Sequence, residues 1–266
     1  MISFLIKMNT LTDEILHICA YLSDKDNIHL STASKRLSDI KFRILFFTTM
    51  YIHDIIQLSY FHQFSNVIMD TNQPLPKHAN SLTFDDCFNK SIDVCIPDSI
   101  THLKFGWCFN QLIKDCIPNS VAHLTFGYCF NQPINSCIPD SVTNLTFGCD
   151  FNQPIKDCIP DFVTHLTFGY CFNQPINSFI PESVTNLIFG WCFDQPINVC
   201  IPDSVTHLTF GHCFNQTING CIPDSVAHLT FGYDFNQNID ELPISINNIE
   251  LSRNYKREIS KKILPP

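Results

Sequence analysis

The sequence carries little charge and no long hydrophobic run. Charged residues make up 15% of the 266 positions and apolar residues 45%, a balance that supports a sizeable buried core and excludes a disordered acidic tail. No stretch approaches the roughly 18 apolar residues that a membrane-spanning helix requires. We therefore expect a folded chain that has no membrane partner.

Two further absences concern location and chemistry. The opening residues MISFLIKMNT form too short an apolar stretch for a secretory signal, so the 14 cysteines predict a reducing, cytoplasmic environment rather than a disulfide framework. The sequence has no Gly-rich phosphate loop, nucleophile elbow or Cys-x-x-Cys pair. We expect no enzyme activity, no cofactor and no metal; a metal-binding stack is the alternative.

Charge is distributed unevenly along the chain. Residues 1–62 are neutral, whereas residues 63–250 contain 5 Lys and Arg against 18 Asp and Glu, a net charge of −13. Residues 251–266 contain 5 Lys and Arg against 1 Glu. A strongly negative central region repels phosphate backbones, so nucleic acid is a poor partner and a basic or neutral protein surface is a better one.

What the sequence does contain is a 21-residue repeat. Proline recurs at this interval at Pro76, Pro97, Pro118, Pro139, Pro160, Pro181, Pro202 and Pro223. Apolar columns recur in step with it: leucine from Leu82 to Leu229, phenylalanine from Phe84 to Phe231 and from Phe88 to Phe235, and isoleucine from Ile92 to Ile239. A unit this short cannot bury its own apolar side chains, so it must stack on its neighbours.

Each repeat is expected to contain one short strand, Leu-x-Phe, whose alternation buries Leu and Phe and exposes the residues on either side. Parallel stacking in register would space equivalent residues by about 4.8 Å. Glycine follows the strand from Gly106 to Gly232. There we expect the chain to turn out of the sheet, through a positive φ.

The residues before the repeats predict helices. Thr12 is a candidate N-cap for a first helix, and its apolar stripe is Ile15, Leu16, Ile18, Cys19 and Leu22. A second helix from about Asp24 or Asp26 carries Ile28, Leu30, Ala33 and Leu37, and a third spans Phe42 to Leu58. The predicted fold class is therefore α+β, a small helical N-terminal module followed by a parallel β solenoid.

We predict four parts along the chain. The helical module occupies residues 9–58, a degenerate capping coil 59–75, eight coils 76–243, and a C-terminal cap with a basic tail 244–266. Four basic residues of the tail are expected to keep the last coil soluble: Lys256, Arg257, Lys261 and Lys262. Caps of this kind protect the open edges of a stacked sheet.

Three repeated columns are candidate target-binding residues. A histidine column lies beside the strand leucine on the exposed face: His102, His123, His165, His207 and His228. An aromatic column follows glycine and points either outward, as anchors for a protein, or inward with the phenylalanines: Trp107, Tyr128, Tyr170, Trp191 and Tyr233. An acidic column follows the repeated proline, where aspartate favours a turn, and its stacked negative charges favour a basic partner: Asp98, Asp140, Asp161, Asp203 and Asp224.

Cysteine fills two further columns, from Cys87 to Cys213 and from Cys95 to Cys221. Asp150, Asp234 and Phe179 replace cysteine at some of these positions. Small, buried residues that pack in a tight coil therefore explain the columns better than metal ligation does.

The repeat resembles the FNIP repeat family, through Phe130-Asn131-Gln132-Pro133-Ile134 and its copies at 151–155 and 172–176. The resemblance covers about residues 64–250. Asp194 departs from the Asn of the pattern, and Leu112, Thr217 and Asn238 depart from its second proline. The resemblance implies a leucine-rich-repeat-like solenoid of a kind found in amoebae and their giant viruses, and thus the host cytoplasm for a viral protein.

The segment from Leu11 to Leu37 resembles an F-box, through Glu14-Ile15-Leu16, Tyr21-Leu22 and Ser34-Lys35-Arg36-Leu37. Thr12 stands where the family has proline, and Leu37 where tryptophan is commoner. The resemblance implies that a set of these residues binds a Skp-type linker of a cullin ubiquitin ligase: Leu11, Thr12, Ile15, Leu16, Ile18, Leu22, Leu30, Lys35 and Leu37. The expected function is a non-enzymatic substrate adaptor, and the alternative is a repeat scaffold without a ubiquitin link.

Overall fold

A computed structural model describes residues 15–33, 38–135, 137–198 and 200–258. The chain divides into two compact units, Met1–Thr83 and Phe84–Pro266. Each unit buries its own set of apolar side chains. Among the described residues, no helix is both long enough and apolar enough to cross a bilayer.

The N-terminal unit combines short helices with short strands. Residues 15–19 are helical. The elements that follow are helix α1 (Asp24–Thr32), a 3-10 helix (Ile40–Phe42), strand β1 (Met50–Tyr51), helix α2 (Ile52–Ile55), a second 3-10 helix (Phe61–Gln63), strand β2 (Asn66–Met69) and strand β3 (Ser81–Phe84), which ends at the unit boundary. Strands β1 and β2 pair in parallel, with Met50 opposite Val67.

The predicted third helix, Phe42 to Leu58, is wrong except for the single turn of α2. The Phe46 amide donates to the Gln63 carbonyl at 2.9 Å, and the Ser65 amide donates to the Phe46 carbonyl at 2.9 Å. This pairing places the ring of Phe46 on that of Phe64, with centroids 5.1 Å apart, in the core of the unit. Aromatic and β-branched residues favour such extended backbone, and here tertiary pairing outweighs apolar content as a helix signal.

Helix α1 begins where the sequence predicts, but it buries a different face. The Ser23 side chain caps it by accepting a hydrogen bond from the Asp26 amide at 3.2 Å. Its buried residues are Asn27 and Ser31 rather than the predicted apolar stripe of Ile28, Leu30 and Ala33. Asn27 Nδ2 donates to the Cys19 carbonyl at 3.0 Å, a contact that satisfies a buried polar group and that no hydrophobic pattern could indicate. Thr12 and Leu37 lie outside the described residues.

The second unit confirms the predicted parallel solenoid, which has about nine turns of about 21 residues. Its strands are β4 (His102–Lys104), β5 (His123–Thr125), β6 (Asn144–Thr146), β7 (His165–Thr167), β8 (Asn186–Ile188), β9 (His207–Thr209), β10 (His228–Thr230) and β11 (Asn248–Glu250). Successive strands pair in parallel and in register, as Leu103 with Leu124 and Leu124 with Leu145. The last step, Leu229 with Ile249, is one residue shorter.

The solenoid core consists of the predicted columns stacked on their own copies. Leu145, Phe147, Phe151 and Ile155 are each at most 2% exposed. Phe147 stacks on Phe151 of its own coil at 4.0 Å and on Phe168 of the next coil at 5.6 Å. Each ring therefore contacts rings within its coil and between coils, so the apolar surface of one coil is covered by the next.

The glycine that follows each strand is explained by close approach and not by its φ. Among the described glycines only Gly220 has a positive φ, of 65°, so the expected positive φ after the strand is wrong. A Cβ on Gly148 would lie 1.7 Å from the carbonyl oxygen of Gly127 in the preceding coil. A side chain here would force adjacent coils apart, and glycine is required because the two backbones touch.

A ladder of side-chain amides runs along the turn after the core phenylalanines. Asn131 Oδ1 accepts from the Asn152 amide at 3.0 Å and from Gln153 Nε2 at 3.0 Å, and the same pair of bonds recurs from coil to coil. Asp194, the one departure from asparagine in the pattern, accepts from Asn215 and Gln216 in the same way. The position needs only an acceptor oxygen, which asparagine and aspartate both supply.

The C-terminal end continues the ladder with different residues. Asn236 Oδ1 accepts from the Lys256 amide at 3.1 Å. The Tyr255 ring stacks on Phe235 with centroids 6.2 Å apart, and its hydroxyl donates to the Gln237 carbonyl at 3.1 Å. Residues 255–257 thus complete the hydrogen bonds of the last full coil. Ile259, Lys261 and Lys262 lie outside the described residues.

Candidate protein-binding surface

The histidine column lies on the exposed face of the strands, as predicted. In β5 the burial pattern is exposed, buried and half-buried for His123, Leu124 and Thr125. The exposed strand face is formed by His102, His123, Asn144, His165, Asn186, His207 and His228, each opposite its neighbour in the parallel pairing. Stacking in register therefore turns one residue per coil into a continuous row.

Stacking and hydrogen bonds hold this row in place. The rings of His102 and His123 stack with centroids 4.3 Å apart, and those of His207 and His228 do the same at 4.3 Å. Thr101 Oγ1 lies 2.8 Å from His102 Nδ1, whereas Thr143 Oγ1 donates to Asn144 Oδ1 at 2.9 Å. Where threonine precedes the column, histidine and asparagine are interchangeable because both offer a hydrogen-bonding atom to its hydroxyl. His123 and His228 follow alanine and are held by ring stacking instead.

The stacked pair also affects protonation. Partial burial lowers the pKa of His123 below the usual 6.5, and the neighbouring His102 and His165 rings lower it further. Burial disfavours the charged imidazolium, and a second positive charge beside it disfavours it again. The face is therefore a neutral, hydrogen-bonding surface at physiological pH in this region.

The aromatic column points outward, which decides between the two directions that the sequence left open. Trp107 is 53% exposed and Tyr233 54%. The aromatic row, which we define as Trp107, Tyr128, Tyr170, Trp191 and Tyr233, contains two stacked pairs: Trp107 on Tyr128 at 4.1 Å and Tyr170 on Trp191 at 5.3 Å. Large rings that are exposed and already ordered are typical anchors of protein interfaces.

The acidic column is exposed and lies at the other end of the strands. Asp98, Asp140, Asp161, Asp203 and Asp224 are all exposed. Asp140 and Asp161 line a surface depression of 570 Å³ together with Asp157, which has a positive φ of 54°. The acidic residues precede the strands and the aromatic row follows them, so the predicted target-binding residues form three separate rows.

The cysteine columns are less buried than predicted. All 14 cysteines are free thiols, and of the two columns only Cys158 is buried, while Cys87 and Cys95 are exposed. Close packing therefore does not account for most of them. In the second column the thiol closes a turn instead: Cys137 Sγ contacts the Asn135 carbonyl at 3.1 Å, and Cys200 Sγ contacts the Asn198 carbonyl at 3.0 Å.

The environment of these thiols opposes nucleophilic chemistry. Burial raises the pKa of Cys116, Cys137 and Cys158 above the usual 9.0. A reactive cysteine needs the opposite shift, because the thiolate is the nucleophile. The Cys149 thiol also raises the pKa of the adjacent Tyr128 to about 12, through a hydrogen bond and through charge.

Two groups of potential metal donors lie beside the aromatic row. Cys149, Asp150 and Cys171 form one group, and His212, Cys213 and Asp234 form the other. Within each group the donor atoms lie within 4.8 Å of one another. The prediction of no metal rested on the missing Cys-x-x-Cys spacing and on the replacement of cysteine by Asp150, Asp234 and Phe179. Stacking instead brings together donors from adjacent coils, and Asp150 and Asp234 are among them.

The predicted linker-binding residues are only partly described. Leu11, Thr12, Lys35 and Leu37 lie outside the described residues. Ile18 is 54% exposed and Leu22 36%, while Ile15, Leu16 and Leu30 are half-buried. Tyr21, beside Leu22, is 79% exposed. Apolar side chains are therefore accessible on residues 15–22, as a partner-binding segment requires.

The sequence analysis missed the exposure of Phe162 and Leu112, whereas Ile188 lies on the strand face that the alternation predicted to be exposed. Phe162 is 64% exposed, Leu112 69% and Ile188 41%. Each replaces the usual residue of its column, namely serine, proline and threonine. Such departures from the repeat pattern were the signal that could have identified them.

Comparisons with known proteins agree with the repeat architecture. A family model described as FNIP Repeat matches residues 71–108, 88–129, 109–150, 130–171, 151–192, 172–213, 193–234, 214–241 and 235–266. A protein of Acanthamoeba polyphaga mimivirus, named "Putative F-box protein R638", is 40% identical over 67 residues, which are 24% of this chain and 48% of that protein. The matched segment thus spans about half of that relative.

A solved structure is similar over most of the chain. It is the crystal structure of CroV588, described as a novel circular LRR protein structure, and it matches with a TM-score of 0.71 and 40% sequence identity. The match covers 77% of this chain and 32% of that one. The likeness therefore extends over about three quarters of this chain and about a third of the solved protein.

Proposed function

The chain belongs to the FNIP repeat family, and from this membership we propose that it is a protein-interaction adaptor whose solenoid binds a target protein. Solenoids of stacked repeats offer long, continuous surfaces of this kind and typically serve as binding modules rather than as enzymes. The observation that carries the proposal is the aromatic row, whose rings are exposed and already stacked in order.

The chemistry of the surface selects the target class. Ordered aromatic rings supply large contact area, and little side-chain freedom is lost when a partner covers them. The exposed acidic column adds negative charge to a region whose net charge is −13. We therefore propose a target protein with a basic or neutral docking surface, approached by electrostatic steering and held by the aromatic row.

We further propose that the N-terminal unit recruits a Skp-type linker and, through it, a cullin ubiquitin ligase. Support comes from the accessible apolar side chains of Ile18, Tyr21 and Leu22 and from the F-box in the name of the mimivirus relative. Exposed apolar helical residues of this kind are commonly completed by a helix or groove of a partner. We also propose a cytoplasmic location for this adaptor, a compartment in which thiols stay reduced.

Target binding is tested by comparing full-length variants as bait in host extract, with quantitative mass spectrometry. The paired change Trp107→Ser plus Tyr128→Ser should lower the recovery of target proteins at least tenfold, because it removes a stacked pair of anchors. Phe162→Ser is the matched control, since it removes an exposed ring outside the row and installs the residue that other coils carry. Equal recovery with the Trp107 and Tyr128 variant would overturn the proposal.

Ligase recruitment is tested with the purified linker. Leu16→Asp plus Ile18→Asp should abolish binding to the Skp-type linker, while the Trp107 and Tyr128 variant should bind it as the parent does. If the parent chain binds no linker, the proposed recruitment of a ubiquitin ligase is wrong. A plain repeat scaffold then accounts for any target binding that depends on the aromatic row.

A further inference from the structure

Two sets of metal-donor side chains occupy equivalent places in the solenoid. The first set is Cys149, Asp150 and Cys171, and the second set is His212, Cys213 and Asp234. Each residue of the second set follows its counterpart in the first by 63 residues, which is three repeats. One carboxylate and two sulfur or imidazole donors thus occur twice, at the same positions of the coil.

Both sets occur where the sequence leaves its repeat pattern. The residue after glycine is aromatic in most coils, but here it is Cys149 or His212. The next column is mostly cysteine, but here Asp150 and Asp234 interrupt it. These positions are half-buried or exposed, so core packing does not require the changes.

The backbone holds the donors of two adjacent coils together. The Cys171 amide donates to the Cys149 carbonyl at 2.8 Å, and the Asp234 amide donates to the His212 carbonyl at 2.9 Å. Each set therefore lies beside one of the backbone hydrogen bonds that join its two coils. A site on such a rigid element is preorganised, since little freedom is lost when a ligand binds.

The imidazole of the second set is placed for coordination. His212 Nδ1 is buried and makes no hydrogen bond to any described residue, yet it lies 3.3 Å from Asp234 Oδ2. Trp191 stacks on the His212 ring at 4.0 Å and Tyr233 at 4.9 Å, which fixes the orientation of the ring. Nitrogen and oxygen ligands on a tetrahedral Zn²⁺ lie about 3.4 Å apart, since each bond is about 2.1 Å long.

The same columns three repeats earlier provide an internal comparison. Asp86, Cys87 and Cys108 occupy the corresponding positions. Among the described residues their donor atoms do not form a group like the other two. Asp86 Oδ1 instead accepts from the Trp107 amide at 3.2 Å, so its carboxylate is engaged with the backbone. Residue type alone therefore does not create the arrangement.

We propose that the first set and the second set each bind one Zn²⁺ ion through three side chains, with the fourth coordination position open to water or to a partner's ligand. Thiolate, imidazole and carboxylate are the ligands that zinc takes in proteins, and three protein ligands with one open position are a known zinc arrangement. The separation of up to 4.8 Å closes by small side-chain rotations, because tetrahedral ligands lie about 3.4 to 3.8 Å apart. This inference does not depend on the proposed adaptor function.

The test is metal retention by the full-length chain under reducing conditions. The metal-stripped protein is loaded with ZnCl₂, desalted and analysed for zinc by mass spectrometry, and a parallel titration with Co²⁺ follows the d–d bands of tetrahedral cobalt. We expect two ions per chain. Cys149→Tyr and His212→Tyr install the aromatic residue that other coils carry, and each should lose one ion while keeping the parent's circular dichroism spectrum.

Cys192→Ser is the matched control, because it removes a thiol of the same column outside both sets. It should retain two ions and the full cobalt spectrum. The proposal is overturned if the parent retains no zinc after desalting, or if Cys149→Tyr and His212→Tyr retain as much as the parent. A loss of zinc in Cys192→Ser equal to that in Cys149→Tyr would likewise overturn it, since it would indicate non-specific binding by thiols.

Discussion

The two units of the chain achieve burial in different ways. In Phe84–Pro266 the core contacts repeat from coil to coil: Phe168 packs on Phe147, Phe172 and Phe189, and its neighbours do the same. In the N-terminal unit each contact occurs once, as between Phe46 and Phe64, and a buried asparagine, Asn27, leaves its Oδ1 without a hydrogen bond to any described residue. In the solenoid one favourable packing arrangement recurs in every coil. In the N-terminal unit each contact is unique, and a buried polar atom without a partner among the described residues remains.

The difference also separates what each unit exposes. The solenoid exposes ordered rows, because stacking copies one residue along the surface. The N-terminal unit instead exposes a short apolar segment that contains Ile18, Tyr21 and Leu22. Rows suit recognition of an extended partner surface, and a short apolar segment suits completion by a partner helix.

Removing a core ring should have the largest effect on stability. It also tests whether the packing of one coil supports the coils on either side. Phe168→Ala is expected to lower the free energy of unfolding by about 4 kcal/mol, because it leaves a cavity among three rings. Urea unfolding followed by circular dichroism measures this. Phe162→Ala, at an exposed ring, should change it by less than about 0.5 kcal/mol.

Hydrogen exchange then sharpens the comparison. Phe168→Ala should lower protection in the coils on both sides, and Phe46→Ala should lower it within the N-terminal unit. Loss of protection confined to the single coil of Phe168 would contradict collective packing.

Adding one methyl group to the glycine column should have the next largest effect. Gly148→Ala is expected to cost about 3 kcal/mol, because its Cβ would meet the Gly127 carbonyl oxygen and neither backbone can move alone. Gly220→Ala, which meets nothing within 4 Å but has a φ of 65°, should cost about 1 kcal/mol. Thermal unfolding of both variants distinguishes a clash with the preceding coil from an unfavourable backbone conformation. Equal losses of stability in the two variants would argue against the clash.

Breaking the amide ladder should have an intermediate effect. Asn152→Ala is expected to cost about 2 kcal/mol, since Asn152 Oδ1 accepts from both the Asn173 amide and Gln174 Nε2. Asn152→Asp should be nearly neutral, as the natural Asp194 makes the same two bonds. For the N-terminal unit we expect Asn27→Ala to cost less, about 1 kcal/mol, because Asn27 makes one such bond. Urea midpoints rank the three, and a destabilising Asn152→Asp would refute the acceptor argument.

Acidification should have the smallest effect. The pKa of His123 is lowered in the folded chain by burial and by His102, so below the usual value of 6.5 the unfolded chain binds more protons. The contribution of His123 to stability is therefore full above about pH 7.5 and decreases as pH falls through 6.5. His123→Asn, which installs the residue of neighbouring coils, should reduce the fall in melting temperature between pH 7.5 and 5.5.

The matched control is His165→Asn, whose ring lies between Asn144 and Asn186 in the sheet. Because His165 is the smallest of the three causes that lower the pKa of His123, its replacement should reduce the pH dependence of the melting temperature less than His123→Asn does. If His123→Asn melts with the parent's pH dependence, the stacked histidines do not carry the effect.

The aromatic column and the third predicted helix illustrate the limits of sequence reasoning. Whether Trp107 points outward depends on how the chain leaves the strand, and periodicity does not encode that direction. The apolar segment from Phe42 to Leu58 fits a helix by composition, but the backbone of Phe46 pairs with residues 63 and 65. Contacts distant in sequence decided both, so no local pattern could have predicted them.

The sequence alone determined the period, the parallel in-register solenoid, the buried leucine and phenylalanine columns and the exposed histidine column, because a short repeat can hide its apolar residues only against its own copies. Tertiary structure decided which groups of adjacent coils come into contact: the glycine and the carbonyl before it, the asparagine ladder and the two sets of metal donors. It also decided that the aromatic row points outward. These contacts depend on distances of a few ångström between chain segments 21 residues apart, which spacing can suggest but only the packed backbone sets.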